Sequence, residues 1–175
     1  MLHKTNITKV PEYYDRYIDL VPDIHLTTAL TEYGENYFNA HFSKLVDLGE
    51  QVYAPGKWTV KDIIQHLIDT ERVFTYRALR IARNDDTILP SFDENMFAVN
   101  AKANKRGLDS LIQELGHVRQ STISFFESLD ADHISNEGIC AEREISVLGI
   151  GFTLAGHCIH HMNVLNEKYF PLLLS

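Results

Sequence analysis

The stretch Gly156-His157-Cys158-Ile159-His160-His161-Met162-Asn163 places three of the nine histidines within five positions. Residues four apart on an α-helix share a face, with Cβ atoms about 5–6 Å apart. His157 and His161 therefore point the same way, as two ligands of one divalent metal ion must. His157 and His160, three apart, form a competing pair, and spacing does not choose between the two. A protein metal site seldom stops at two imidazoles, so a third ligand has to come from elsewhere in the fold. His66 fits that need: it lies inside another helical pattern, in line with Ile63, Thr70, Val73 and Arg77. Three histidines with an open fourth position are a familiar catalytic zinc arrangement. Three histidines buried without metal would have six ring nitrogens to satisfy, and each failure costs about 1–3 kcal/mol.

Other polar groups near these histidines have simpler readings. His160 reads as a rim group. His41 and Tyr37 could line a pocket, but partly buried surface explains them. Asp62 and Asp69 could accept a hydrogen bond from the far nitrogen of a ligating His66, although a helix cap or a solvated face accounts for both. Glu71 and Arg77 read as pocket-rim or solvated charges, and Trp58 as a packing anchor. Cys158 follows His157 directly, so it faces about 100° away and reads as a small buried hydrophobe. No residue stands out as a general base, and His3, His25, His117 and His133 carry no functional reading.

The elements that must position these groups are helices. An arm at 1–22 is bracketed by Pro11 and Pro22 and packs through Tyr13, Tyr14 and Tyr17. A first long helix is expected over 24–48, where Leu26, Leu30, Tyr33, Tyr37, His41, Lys44 and Leu48 step by three or four. Gly49 suits its C-cap, and Pro55-Gly56 marks a turn. A second helix starts at N-cap Thr59, with Asp62 as the acidic half of a capping box, and runs to 82 or 83. The connection 85–106 holds a short helix over 93–101 and is long enough for a crossover. A third helix spans 108–129, and residues 130–145 form a polar loop with room for a short strand pair. The fourth begins at N-cap Ser146, or as late as Gly151, and ends before Pro171. Its glycines, Gly149, Gly151 and Gly156, cost about 1 kcal/mol each relative to alanine unless they admit another backbone closely. The expected fold class is all-α: a four-helix bundle, in which sites are built in the core from facing helices.

At 175 residues the chain reads as one domain, 1–175, with a proper core. The net charge is −8, and Lys and Arg are scattered singly, which argues against nucleic acid and against anionic membrane surfaces. No run approaches the ~18–20 apolar residues that span a bilayer, and the charged first twenty residues contain no signal-peptide core. Cys140 and Cys158 make no disulfide framework. A soluble cytoplasmic protein is expected, and a bundle of this shape is compatible with a homodimer paired through helix faces.

The residues also resemble a known family. Lys57-Trp58-Thr59-Val60-Lys61-Asp62-Ile63-Ile64-Gln65-His66-Leu67 resembles the second-helix entry of the DinB/YfiT-like superfamily. His157-Cys158-Ile159-His160-His161 resembles its fourth-helix HxxHH pattern, and Leu89-Pro90-Ser91-Phe92 fits its long connection. The likeness covers about residues 24–170. It implies an up-down-down-up bundle with a long crossover between helices two and three. It also implies a divalent metal, Zn or Ni, held by His66, His157 and His161. Where the family often carries Gly-Gln after the last histidine, this chain has Met162-Asn163. Members include thiol S-transferases that use low-molecular-weight thiols, and proteins described as metal-dependent hydrolases. The resemblance therefore implies an enzyme whose metal activates a thiol or water for attack on a small electrophilic substrate. The alternative is a non-catalytic, metal- or small-ligand-binding stress-response protein.

Overall fold

The computed structural model describes residues 2–174. Helices α1 (Asp15–Ile18), α2 (Leu26–Glu32), α3 (Glu35–Asn39) and α4 (Phe42–Leu48) form the N-terminal third. The long helices α5 (Val60–Ala82), α7 (Leu108–Glu127) and α9 (Val147–Val164) follow, with α6 (Glu94–Ala101) between the first two. A short helix α8 (Ala131–Ser135) and an antiparallel pair, β1 (Glu137–Cys140) and β2 (Arg143–Ser146), precede α9. A π-helical turn, Leu165–Tyr169, and a 3-10 segment, Phe170–Leu174, close the chain. Helix α5 packs on both α7 and α9, while α2 packs against α7 and α9. The architecture is helical and bundled. No helix among the described residues is long and apolar enough to cross a membrane.

Several expected ends are held as the side chains suggest. Thr59 accepts from the Asp62 amide at 3.2 Å, and Asp62 accepts from the Thr59 amide at 3.0 Å, completing the capping box of α5. The Asp93 carboxylate caps α6. Ser146 accepts from the Gly149 amide at 3.0 Å, so α9 starts early and runs through its glycines. Gly49 sits at φ 55° and ψ −120° at the end of α4, a conformation that only glycine adopts without strain.

The first bundle position departs from expectation: the predicted continuous helix over 24–48 is three short helices. The break after α2 has a tertiary cause. The buried guanidinium of Arg119 on α7 donates to the Leu30 carbonyl at 2.7 Å and to the Tyr33 carbonyl at 3.0 Å. It thus takes over carbonyls that the next helical turn would otherwise use. Arg119 also meets both carboxylate oxygens of buried Glu71 on α5 at 2.8 Å, and its Nη2 lies 3.4 Å from Cys158 Sγ on α9. One guanidinium thereby ties α2, α5, α7 and α9 into a fixed register. Glu71 belongs to this core network and does not reach the pocket rim.

Two further devices seat the site. Ile18 and Val21 are fully buried, so the N-terminal arm is docked on the bundle, with α1 packed against α9. Gly156 makes that approach feasible: a Cβ there would fall 2.0 Å from the Tyr17 carbonyl oxygen. Leu89 bridges to Cys140 in parallel, with the Leu89 amide donating to the Ile139 carbonyl at 2.9 Å. This bridge draws the long connection and the β-hairpin to the same end of α5.

Candidate metal centre

His66 lies two turns into α5, on the face that also carries Thr70, Phe74 and Arg77. His157 and His161 lie one turn apart on α9, which packs against α5. Their Nε2 atoms converge: His66 to His157 is 3.1 Å, and His157 to His161 is 3.0 Å. One nitrogen from each ring can be chosen so that all three lie within 4.8 Å of one another. His160 is excluded from this cluster and lines the adjoining cavity instead. His157 and His161 are buried and His66 is partly buried.

Hydrogen bonding among the rings cannot satisfy this arrangement. An imidazole nitrogen holds either one proton or one lone pair. His157 Nε2 faces two other Nε2 atoms, so it cannot make an ordinary linear bond to both in any tautomer. A cation between the rings would use all three lone pairs at once. At Zn–N distances of 2.0–2.1 Å, two tetrahedral ligand nitrogens stand about 3.3 Å apart, close to the separations seen here. The residues therefore fit a divalent metal on geometry as well as on donor type.

Electrostatics keep the donors ready. Burial, then the nearby His160, lowers the pKa of His66 to about 4. Burial and the neighbouring imidazoles hold His157 and His161 well below the usual histidine range. All three are neutral at pH 7, with lone pairs free. Thr70 Oγ1 lies 3.5 Å from His66 Nδ1, a long contact on the side of the ring away from the cluster. Trp58 packs on His66 with ring centroids 4.7 Å apart, and Tyr17 meets His157 and His160 edge-on at 5.2 and 5.4 Å.

The cluster opens onto a cavity of about 410 Å³. Tyr13, Tyr14, Tyr17, Trp58, Phe74 and Phe92 supply aromatic wall, and Arg77, Arg143 and Glu94 supply charge. The hairpin reaches the rim through Ala141 and Arg143, on either side of Glu142, and Ala141 and Glu142 take the positive φ angles 51° and 65° of its turn. Such backbone is uncommon for residues other than glycine, asparagine or aspartate.

The sequence family is now decided by a direct match. The DinB superfamily sequence pattern fits residues 18–165. The chain belongs to the DinB superfamily. YfiT from Bacillus subtilis, described as a probable metal-dependent hydrolase with an unusual four-helix bundle topology, shares the fold at TM-score 0.67. The two chains are 14% identical, and the match covers 92% of this chain and 88% of that one. No curated protein matches the sequence.

In this DinB-superfamily chain, other polar candidates fall outside the cluster. Asp62 is committed to the Thr59 cap and to Asn104, and Asp69 accepts from Gln65 at 2.9 Å. Neither therefore orients His66. His41 stacks near Phe170, with centroids 5.6 Å apart, and neither it nor Tyr37 lines the cavity. Cys158 is buried, and burial pushes its thiol up to about 11, so it is no nucleophile at neutral pH. Trp58, read from sequence as a packing anchor, and Arg77, read as a pocket-rim or solvated charge, both line the site. Thr70 was detectable as the residue one turn after His66 on the same face. Tyr17 had no such signal, since its place depends on the arm folding back across α9.

Proposed function

We propose that this protein is a metal-dependent enzyme acting on a small electrophilic molecule, with His66, His157 and His161 as ligands of Zn²⁺ or Ni²⁺. The supporting observation is the convergence of three neutral imidazoles, with His157 Nε2 within 3.0–3.1 Å of the Nε2 atoms of both His66 and His161, on the wall of a cavity large enough for a small molecule. A bound divalent ion would supply Lewis acidity, making the anion of a water or thiol available near neutral pH. The remaining work falls to the chain itself. The aromatic wall formed by Tyr14, Tyr17, Phe74 and Trp58 would hold an apolar substrate body and limit water. His160 lines the cavity beside the cluster, half-buried, its pKa lowered chiefly by that burial. It is thus neutral at pH 7 and placed to accept the proton released as the nucleophile forms.

Thiol transfer, with a low-molecular-weight thiol as co-substrate, is the leading version, and hydrolysis is the second. Both fit the site because imidazole donors with an open face serve either nucleophile. The long connection between α5 and α7 supports the up-down-down-up order as part of this reading. The test is tag-free, metal-loaded protein with a small thiol and a chlorinated aromatic electrophile, beside His66→Ala and His160→Ala. Turnover that needs metal, is lost in His66→Ala and is slowed with metal retained in His160→Ala supports the transferase version. No metal-dependent rate above background removes it, and a panel of activated esters and amides then tests hydrolysis.

A further inference from the structure

Four of the eight arginines are paired with carboxylates among the described residues. Arg72 and Arg106 share Glu114, Arg80 holds Asp85, and fully buried Arg119 has both oxygens of Glu71 plus two backbone carbonyls. Arg77, the other buried arginine, differs from Arg119. It is 3% exposed, yet no carboxylate among the described residues lies within ion-pair distance of it. Its Nη2 donates to the Pro90 carbonyl at 2.5 Å, and its guanidinium rests over the Phe74 and Phe92 rings at 4.9 and 5.8 Å. Its other donors meet no protein acceptor among the described residues. No unpaired buried side-chain nitrogen is found there either, so these donors open onto the cavity that Arg77 lines. Holding a guanidinium at so little exposure without a counter-charge is costly. The Glu71–Arg119 pair shows that the fold can supply one where the charge serves structure.

The position is as informative as the pairing. Residues 66, 70, 74 and 77 follow the 4-4-3 spacing of one helix face, and all four line the cavity. Arg77 stands three turns beyond His66, about 16 Å along the axis. Arg143 joins it from the hairpin, 4.9 Å over the Tyr13 ring, and the facing carboxylate Glu94 is exposed. A chain of net charge −8 therefore presents locally positive potential at the far end of the candidate metal pocket.

We infer that Arg77, aided by Arg143 at the rim, seats the carboxylate of an elongated substrate whose other end reacts beside His66, His157 and His161. The aromatic wall between the two ends holds the apolar middle. This inference rests on the metal-dependent reading above for the role of the reacting end, while the carboxylate seat stands on Arg77 alone. The planar guanidinium offers the paired donors that a carboxylate accepts.

The test uses two probes of equal length, 8-mercaptooctanoate and 8-mercapto-1-octanol, on cobalt(II)-loaded full-length protein. Thiolate-to-cobalt absorption reports the sulfur end, and the two probes differ only at the distal group. Wild type should bind the carboxylate at least about tenfold tighter than the alcohol. Arg77→Gln should abolish that preference and leave the alcohol's affinity unchanged. Exposed Arg143→Gln should weaken the preference about two- to threefold, and only at low salt. Equal affinities in wild type, or a full preference surviving in Arg77→Gln, overturns the assignment. If Arg77→Gln does not fold by circular dichroism, Arg77→Lys replaces it: a reduced preference supports the seat, and an undiminished one overturns it. Calorimetry with octanoate and 1-octanol on metal-free protein separates the two readings. An Arg77-dependent preference for octanoate in protein that binds no cobalt upholds the seat and removes the metal. Cobalt binding with no octanoate preference does the reverse.

Discussion

A single methyl group at Gly156 sets two physical effects against each other. Gly156 lies inside α9, where helix propensity alone makes Gly156→Ala stabilising by about 1 kcal/mol. Packing predicts the opposite sign. The new Cβ would fall 2.0 Å from the Tyr17 carbonyl oxygen, 2.5 Å from its carbon and 3.1 Å from its Cα, all backbone atoms. Ordinary contact needs about 3.5 Å, so the arm must retreat by about 1.5 Å. Its anchors Tyr14, Ile18 and Val21 are 2%, 0% and 1% exposed and would lose part of their burial. Full burial of such side chains is worth about 1.5–3 kcal/mol each, and forced overpacking typically costs about 1–3 kcal/mol. After the propensity gain, the expected result is a net loss of about 1–3 kcal/mol. That loss lowers Tm by roughly 2–12 °C for a chain of this size. Urea and thermal unfolding measure it. Ile18→Ala loosens the same arm, so the double variant should lose less than the sum of the single losses. A Gly156→Ala protein more stable than wild type would refute the docking of the arm on α9, and with it the placement of Tyr17 beside His157.

Two other outcomes follow from the buried groups. Arg119→Met leaves the Glu71 carboxylate buried without its partner and frees the Leu30 and Tyr33 carbonyls; we expect a loss of about 3–5 kcal/mol in urea unfolding, and a loss under 1 kcal/mol would contradict the network. The stability of metal-free protein should fall as pH drops from about 6.5 toward 4. His66 titrates near 4 when folded and at its ordinary value when unfolded, so the unfolded chain binds the extra proton across that window. Urea midpoints of wild type and His66→Ala measure the effect, and an equal slope in both would contradict it.

Where a local rule and the tertiary environment agreed, the sequence was a good guide. The Thr59–Asp62 box, the Ser146 cap, the Gly49 terminus and the uninterrupted patterns of α5 and α7 are short-range features, and each is present. The strand pair in 137–146 was likewise visible as a polar interval between helices. The first helix failed because its stripe of apolar residues is compatible with three short segments as well as one long one. At the break after α2 the choice is made by Arg119, 85 or more positions away. The histidines were legible because spacing on one helix is a local property. Spacing did not say which of His160 and His161 joins His66, since that depends on how α9 is rotated against α5; the family resemblance pointed to His161. The glycines of α9 left two readings open, and at Gly156 the close backbone approach is the operative one. For Arg77 the pocket-rim reading was available and the solvated one was preferred; its burial without a carboxylate depends on tertiary packing that spacing does not show.

Metal content of tag-free protein is the most direct test of the central claim. Elemental analysis after equilibration with zinc or nickel and desalting should find about one equivalent in wild type and in His160→Ala. It should find well under that in His66→Ala, His157→Ala and His161→Ala, each confirmed as folded by circular dichroism. No bound metal in wild type, or metal lost in His160→Ala and kept in His161→Ala, would contradict the three-histidine centre described here.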